Sequence, residues 1–233
     1  MYMSQYELLQ AHIKTLYTID SNSNLCLVNE PWNKSVPACK FFLGRTMDGH
    51  VLPKFRFDVP MEVQNKINDL CQSETIPKDA DRVPKHLKTY LKLLKSESHS
   101  ISLCFYVPHI HTCKNECTIV EEKNVRSLTE NGFDWLSEEI EFVQPCVGVV
   151  SSNQIVSVCR SVRTSETAHE AGIETLKAFR GKGYALDVLA VWAKILREQG
   201  IIPLYSTGIE NISSQRVAEK AALYNYGIGF SVE

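Results

Sequence analysis

Residues 179–185, with the sequence F-R-G-K-G-Y-A, have the composition of a phosphate-binding loop. Gly181 and Gly183 let backbone amides approach a ligand closely, because glycine carries no Cβ atom. Arg180 and Lys182 add positive charge and side-chain hydrogen-bond donors. The residue types and their spacing therefore predict a site for a diphosphate.

Regular elements are expected on both sides of this loop. Residues 169–176 resemble a strand, and apolar residues between 185 and 196 recur at helical spacing before Gly200, a typical helix end. Because a helix N-terminus has free amides and a positive dipole end, Tyr184 and Ala185 should add donors for an anion. A tight strand-to-helix turn with two surface cations is the alternative interpretation.

Two common phosphate loops do not fit the spacing. No G-x-x-x-x-G-K-[ST] string occurs, and Leu186 stands where the dinucleotide fingerprint requires its third glycine. The remaining pattern, R-G-x-G-x-A, resembles the coenzyme A pyrophosphate loop of the GNAT superfamily of N-acetyltransferases. Strands predicted at 145–150 and 154–160, a strand at 201–207 and a helix opened by Asn211 follow the element order of that family.

The resemblance covers about residues 145–230, and the H-E-A-G-I-E-T run at 169–175 is similar to a little-characterised bacterial branch with an extra N-terminal region. It implies a fold of the α/β (α+β) class, in which helices flank a mixed twisted sheet. Residues 99–233 would form the GNAT-like acetyltransferase domain, and residues 1–98 an N-terminal α+β region of unknown role. It also implies acetyl-CoA as co-substrate, with no metal expected.

The family places its coenzyme along the loop, the strand before it and the second helix after it. The strand backbone would bind the pantetheine amides like an added strand. Asn211 matches an N-x-x-S pattern that lies against the coenzyme in the family, although asparagine is equally suited to be a plain helix cap. The residues expected to bind coenzyme are Ile173, Thr175, Leu176, Arg180, Gly181, Lys182, Gly183, Tyr184, Ala185, Asn211 and Ser214.

The resemblance also suggests acid–base residues. Some family members use a glutamate or histidine on the strand before the loop, which points first to Glu170 and then to Glu174. Many use a tyrosine after the second helix to protonate the leaving thiolate, and Tyr226 is the candidate. The alternatives are a salt-bridged surface glutamate and a core aromatic side chain.

The remaining elements are predicted from periodicity and turn residues. Helices are expected at 6–19, 61–71 and 85–95, and short strands at 25–28, 40–43, 54–57 and 101–107. Pro203 cannot donate to a ladder, so the strand at 201–207 should be partly unpaired there. Only four residues follow Gly229, which leaves little room for the usual final strand pair. The N-terminal half or another subunit would then complete the acceptor side.

Composition is ordinary for a globular enzyme. The chain has 233 residues, 44% of them hydrophobic, with 25 basic and 27 acidic residues and a net charge of −2. No charge run indicates nucleic-acid binding, no apolar run has membrane-spanning length, and the first residues do not resemble a signal peptide. These features and eight cysteines predict a cytoplasmic protein with reduced thiols.

One cysteine and histidine cluster allows a second interpretation. The residues Cys104, His109, His111, Cys113 and Cys117 fall within fourteen positions and are types that bind zinc. They lack a C-x-x-C pair, and Cys104 lies in an apolar strand-like run. Buried and loop positions are therefore favoured over a metal site.

Taken together, these patterns predict an enzyme that transfers the acetyl group of acetyl-CoA to a primary amine of a small molecule or protein. The amine would attack the thioester directly in a ternary complex. Two alternatives are a regulatory module that binds coenzyme A without efficient catalysis and a protein that binds another nucleotide through residues 180–183. A homodimer is possible in each case.

Overall fold

The structure is a computed structural model that describes residues 3–32, 35–77, 82–110, 114–129 and 132–233. Helices and a large mixed sheet give it an α+β architecture, as the sequence predicts. The helices in the described residues are α1 (Gln5–Leu16), α2 (Met61–Cys71), α3 (Leu87–Leu94), α4 (Glu122–Leu128), α5 (Leu136–Glu139), α6 (Tyr184–Glu198) and α7 (Ile212–Lys220).

The strands form one small and one large sheet. They are β1 (Tyr17–Ile19), β2 (Leu25–Val28), β3 (Phe41–Thr46), β4 (Val51–Phe55), β5 (His99–Tyr106), β6 (Cys117–Ile119), β7 (Cys146–Ser151), β8 (Gln154–Thr164), β9 (Ala168–Thr175), β10 (Ile202–Gly208) and β11 (Tyr224–Val232). Strands β1 and β2 pair with each other, and the other nine form a sheet in the order β4-β3-β11-β5-β10-β9-β8-β7-β6.

Strands from the first half of the chain complete the sheet around β11. The last strand pairs with β3 on one side and with β5 on the other, and β5 also pairs with β10. The last strand has room because it begins at Tyr224, before Gly229, and its partner β5 precedes it by more than a hundred residues in the sequence. Hydrogen bonds between β3 and β11 cross the expected boundary at residue 98, and the division into two domains stays a prediction.

The two faces of the sheet carry different helices. On one face, α1 packs with Leu8, Leu9 and Ile13 on Cys104, Leu204 and other strand residues. On the other face, α6 contributes Trp192 and its neighbours to a core shared with α2, α3 and α7. A third cluster packs α4 and α5 against β7 and β8. The sheet therefore separates the environment of α1 from that of α6.

The first helix has a strong N-terminal signal. Ser4 and Glu7 form a capping box, in which the Glu7 amide donates to Ser4 Oγ at 3.2 Å and the Ser4 amide donates to Glu7 Oε2 at 2.8 Å. The helix ends at Leu16, three residues before the predicted end at 19. The aromatic and β-branched residues 17–19 instead form β1, because pairing with β2 satisfies their backbone.

Most other predicted elements are present with small shifts. Helix α2 has the predicted bounds 61–71, whereas β3 and β8 run longer than predicted. Strand β4 begins three residues and ends two residues earlier than predicted. Pro203 is in register with His169 of β9, but the register of β10 on β5 begins only at Leu204. On the β5 side Pro203 accepts from the Val107 amide at 3.0 Å and cannot donate in return, so the strand is partly unpaired there, as predicted. Strands β9 and β10 separate after Leu204, toward the carboxyl end of β10.

Candidate active site

The glycine loop lies between the end of β9 and the start of α6. A short 3₁₀ turn, Lys177–Phe179, leads into it, and Gly181 and Gly183 have positive φ angles of 82° and 90°. A Cβ atom added at either glycine would meet no other atom within 4 Å. The two positions therefore require glycine for backbone conformation, and open space lies beside them.

Backbone donors of the loop have no acceptor among the described residues of the protein. The amides of residues 181–185 make no hydrogen bond to any residue that the structure describes, and the next amide, that of Leu186, bonds to Gly183 O at 2.9 Å. Gly183 is the N-cap of α6 and has no side chain to cap it. These amides are the uncompensated donors of a helix N-terminus, where an anion binds favourably.

Two cations border these amides. Arg180 Nε donates to the Thr175 carbonyl at 3.2 Å, and Lys182 Nζ lies 4.9 Å from the centre of the Phe179 ring. Both cationic residues are exposed. Residues 180–186 include two positive side chains and no negative one. The nearest carboxylate in the sequence, Asp187, is buried and accepts a hydrogen bond from the Lys114 amide at 3.0 Å.

Strands β9 and β10 are parallel but separate after a short contact. They pair only at Ile202 with Ala168, Pro203 with His169, and Leu204 with Glu170. Beyond Glu170, β9 continues to Thr175 and pairs only with β8. The backbone edge of residues 171–175 that faces β10 is therefore available to an extended ligand arriving from the glycine loop. This stretch contains Ile173 and Thr175, two expected coenzyme residues, and Leu176 follows it.

Glu170 lies at the point where the two strands separate. Its side chain is on the α1 face, 6% exposed, and Oε1 lies 3.2 Å from Nε2 of the fully buried His12. Ser206 of β10 donates its hydroxyl hydrogen to the same carboxylate oxygen. On its other side, His12 Nδ1 lies 2.6 Å from the Tyr226 hydroxyl. Residues from four separate segments thus form one hydrogen-bonded network.

A β-bulge turns Tyr226 toward this network. The register of β11 on β5 shifts between Asn225 and Gly227, so Tyr226 and Gly227 fall on the same side of the sheet. Without the shift, alternation would place Tyr226 on the α6 face with Ile228. Gly227 is required here, because an added Cβ would lie 2.6 Å from the Arg45 carbonyl.

Burial and charge act in opposite directions on the network. Burial alone lowers the pKa of His12, but its contacts with Cys104 and Glu170 outweigh burial and raise that pKa to about 10. Burial alone raises the pKa of Glu170, but the His12 hydrogen bond and charge and the Ser206 hydroxyl bring it below its ordinary value. At neutral pH the pair is therefore an imidazolium and a carboxylate.

Residues 136–226 match the family model described as GNAT acetyltransferase. The match covers less than half of the chain, and this segment is similar to GNAT acetyltransferases. The GNAT segment contains the glycine loop, the strand split, Glu170, Ser206 and Tyr226, whereas His12 lies outside it. No curated protein matches the chain.

Solved structures that match the chain include GNAT-family proteins of three bacteria. The acetyltransferase of Colwellia psychrerythraea is 15% identical with a TM-score of 0.49, and the match covers 92% of this chain and 84% of that one. A GNAT-family protein of Novosphingobium aromaticivorans is 12% identical with a TM-score of 0.44, covering 58% and 65%. A GCN5-related N-acetyltransferase of Sphaerobacter thermophilus is 14% identical with a TM-score of 0.42, covering 62% and 55%. This chain therefore spans less than two thirds of the latter two proteins.

The remaining candidates of the GNAT segment lie apart from the Glu170 network. Glu174 is exposed on β9, four residues and about 13 Å along the strand from Glu170. Asn211 caps α7 by accepting from the Ser214 amide at 3.1 Å. The cap interpretation is thus observed, and a coenzyme contact stays a prediction for Asn211 and Ser214.

Two residues of the network were missed by sequence reasoning. His12 is part of the apolar face of α1, where a histidine is unusual, and this was its only signal. Ser206 had no signal beyond its place in a strand. His169, next to Glu170, points to the α6 face instead and bonds Ser161 Oγ at 3.0 Å, and burial lowers its pKa to about 4.

The possible zinc ligands do not form a group in the described residues. Cys104 lies on β5 and Cys117 on β6, five strand steps and about 24 Å apart, so they cannot share one ion. His111 and Cys113 lie outside the described residues, among which there is no group of three or more potential metal ligands. Among the described residues, no helix has the length and apolar character of a membrane span.

Proposed function

We propose that this protein is an N-acetyltransferase that transfers the acetyl group of acetyl-CoA to a primary amine by direct attack in a ternary complex. The observation that carries the proposal is a continuous path in the GNAT segment. It runs from the free amides at 181–185, along the unpaired edge of β9, to Glu170 at the strand split. A thioester held along this path would end beside the carboxylate.

The loop and strand would hold the coenzyme. The free amides, with Arg180 and Lys182, would bind the diphosphate through backbone donors and positive charge. The free edge of β9, including Ile173 and Thr175, would bind the pantetheine amides like an added strand. One of its amides would also polarise the thioester carbonyl and stabilise the oxyanion. Holding the two reactants together contributes about 7–11 kcal/mol in favourable cases.

Glu170 would act on the attacking nitrogen. Its lowered pKa keeps the carboxylate ionised at neutral pH, so it can stabilise the positive charge on the nitrogen and receive its proton. Tyr226 would act through His12, since its hydroxyl bonds the imidazole and burial raises the pKa of Tyr226 well above its ordinary value. Glu174, exposed and remote along the strand, is the weaker candidate of the two glutamates.

One observation favours a second candidate function. Glu170 is already paired with the His12 imidazolium, and a carboxylate with a lowered pKa is a weak base. Such an arrangement is compatible with a regulatory module that binds acetyl-CoA without efficient turnover. Binding through the loop would be the same in the two cases, and only turnover separates them.

The test is thiol release from acetyl-CoA with a panel of primary amines, followed by initial rates at varied concentrations of both substrates. We expect release above the Gly183→Val background and intersecting double-reciprocal lines. Parallel lines would indicate an acetylated enzyme and overturn direct attack. Coenzyme binding without release supports the regulatory module. Equal competition by coenzyme A and adenine nucleotides supports a site for another nucleotide.

The cellular setting follows from the same proposal. Acetyl-CoA and reduced thiols are expected in the cytoplasm, and the seven cysteines in the described residues are all free of disulfides. The proposed partners are acetyl-CoA and an amine acceptor, with neither nucleic acid nor a membrane. A homodimer stays a prediction, which light scattering of the purified chain would test.

A further inference from the structure

A cavity of about 130 Å³ lies on the α1 face of the sheet, beside the strand split. Strands β5, β10 and β11 provide its floor, and α1 and β1 contribute wall residues. Its polar lining consists of His12, Ser100, Ser102, Cys104, Ser206 and Ser231. The cavity therefore joins residues of the first half of the chain to the part of the GNAT segment where the thioester would arrive.

Ser206 connects this cavity to Glu170. It lines the cavity, lies two residues beyond the last pair of β10 with β9, and donates its only hydroxyl hydrogen to the carboxylate. The lone pairs of its oxygen remain available to accept a hydrogen bond from a group in the cavity. An amine that occupies the cavity would thus reach Glu170 through one hydroxyl.

Charge and size limit what the cavity can hold. The lining residues include no Asp, Glu, Lys or Arg, and the charge of His12 is matched by Glu170. Four serine hydroxyls lie in the lining, of which Ser100 and Ser231 bond each other at 2.8 Å and keep their remaining lone pairs. Tyr17 and Phe42 contribute an edge-to-face aromatic wall with ring centroids 5.8 Å apart. The volume corresponds to about four water molecules at roughly 30 Å³ each. This lining suits a short, hydroxylated body without further charge.

We infer that this cavity is the acceptor pocket and that it selects small hydroxylated primary amines, whose nitrogen Ser206 links to Glu170. The inference rests on the proposed acetyltransferase function. The ammonium first gives one proton to Ser206, which passes its own to Glu170. The nitrogen then forms a bond to the acetyl carbon, and the carbon–sulfur bond breaks. The nitrogen loses its second proton to solvent, and the proton on Glu170 returns to the thiolate.

The first experiment compares acceptors of matched size. We expect kcat/KM for ethanolamine and serinol to exceed that for propylamine by about tenfold, as one or two hydrogen bonds require. A lysine side chain within a peptide should be acetylated far more slowly. Equal or faster acetylation of the peptide would overturn the inference and leave the proposed function intact.

The second experiment alters the pocket. Ser102→Val should narrow the cavity and raise KM for ethanolamine at least tenfold, while coenzyme affinity by calorimetry stays within twofold. Ser206→Ala should lower kcat/KM for ethanolamine by 10- to 100-fold, and Ser206→Thr, which keeps the hydroxyl, should restore most of it. Unchanged kinetics in both Ser102→Val and Ser206→Ala would overturn the inference.

Ser161→Ala is the matched control. Ser161 is also a buried strand serine bonded to a titratable side chain, His169, but it faces α6. Its kinetics should stay within twofold of the parent. If the parent binds coenzyme A but releases no thiol with any amine, the proposed acetyltransferase function is wrong. The inference about the acceptor pocket is then wrong as well.

Discussion

The glycine loop and the Glu170 network are built in opposite ways. The loop consists of consecutive exposed residues, 180–183, whose backbone amides are the main proposed ligand donors, and its geometry is set by two glycines with positive φ. The network consists of buried side chains from residues 12, 170, 206 and 226. The comparison teaches that the proposed coenzyme site depends on a local motif, whereas the proposed acid–base site depends on distant segments of the chain that meet in the fold.

The largest expected effect is on the network. Glu170→Gln should lower kcat by about 10²- to 10³-fold, as loss of a general base typically does. The coenzyme dissociation constant should change less than twofold, because the loop is separate. The measurement is steady-state kinetics with calorimetry, after thermal unfolding has shown that the variant with an unpaired His12 is folded.

Glu174→Gln is the matched control for that variant. The same chemical change is made on the same strand, but at an exposed side chain. Its kcat should stay within threefold of the parent. If the two variants lose activity equally, the assignment of Glu170 over Glu174 is wrong.

The next largest effect is expected at the glycine loop, on coenzyme binding. Gly183→Val should weaken coenzyme binding by at least tenfold, because a branched side chain would strain the positive φ and crowd the diphosphate. Titration calorimetry on the folded variant measures this. Unchanged affinity would count against the diphosphate site.

Gly200→Val is the control that distinguishes backbone strain from loss of coenzyme binding. Gly200 lies at the other end of α6, with a φ of 76° and no atom within 4 Å of an added Cβ. The two valine variants should therefore lose similar stability, but Gly200→Val should bind coenzyme A like the parent.

A smaller effect is expected at the loop cations. Arg180→Ala should weaken coenzyme binding by about three- to tenfold, because the backbone donors remain. Lys177→Ala, an exposed cation of the preceding 3₁₀ turn, should change binding less than twofold. A larger loss in Arg180→Ala than in Gly183→Val would contradict the idea that amides dominate this site.

The smallest effect concerns stability, and it contrasts two histidines on opposite faces of the sheet. The folded pKa of His169, about 4, lies below its unfolded value near 6.5, so the unfolded state gains a proton first as the pH falls. Unfolding free energy should therefore decrease between pH 6.5 and 4, on the order of 1 kcal/mol after allowance for solvent access. Chemical denaturation of the parent and His169→Gln measures the difference.

His12 should show the opposite dependence. Its folded pKa of about 10 lies above the unfolded value, so its contribution is complete below pH 6.5 and is lost as the pH rises through 10. The parent should lose more stability than His12→Asn over that range. If both proteins lose the same stability, the imidazolium–carboxylate pair is not present.

Sequence reasoning reached the loop because its physics is local. Gly183, the helix behind it and the stop at Gly200 depend on backbone conformations that a few neighbouring residues specify. The same holds for α2, whose bounds were predicted from periodicity and Pro60. A prediction failed where a partner strand decided the outcome, as at residues 17–19, which pair with β2 instead of extending α1.

By itself, the sequence determined the order of elements from β7 to α7, the glycine loop between β9 and α6, and the candidacy of Glu170 and Tyr226. Only the tertiary structure brought His12 and Ser206 to Glu170, inserted β5 beside the last strand and shifted Tyr226 to the α1 face through a bulge. The physical reason is the distance along the sequence between the residues that interact. Backbone conformation is encoded by adjacent residues, whereas the environment of a buried side chain is set by segments up to two hundred residues away.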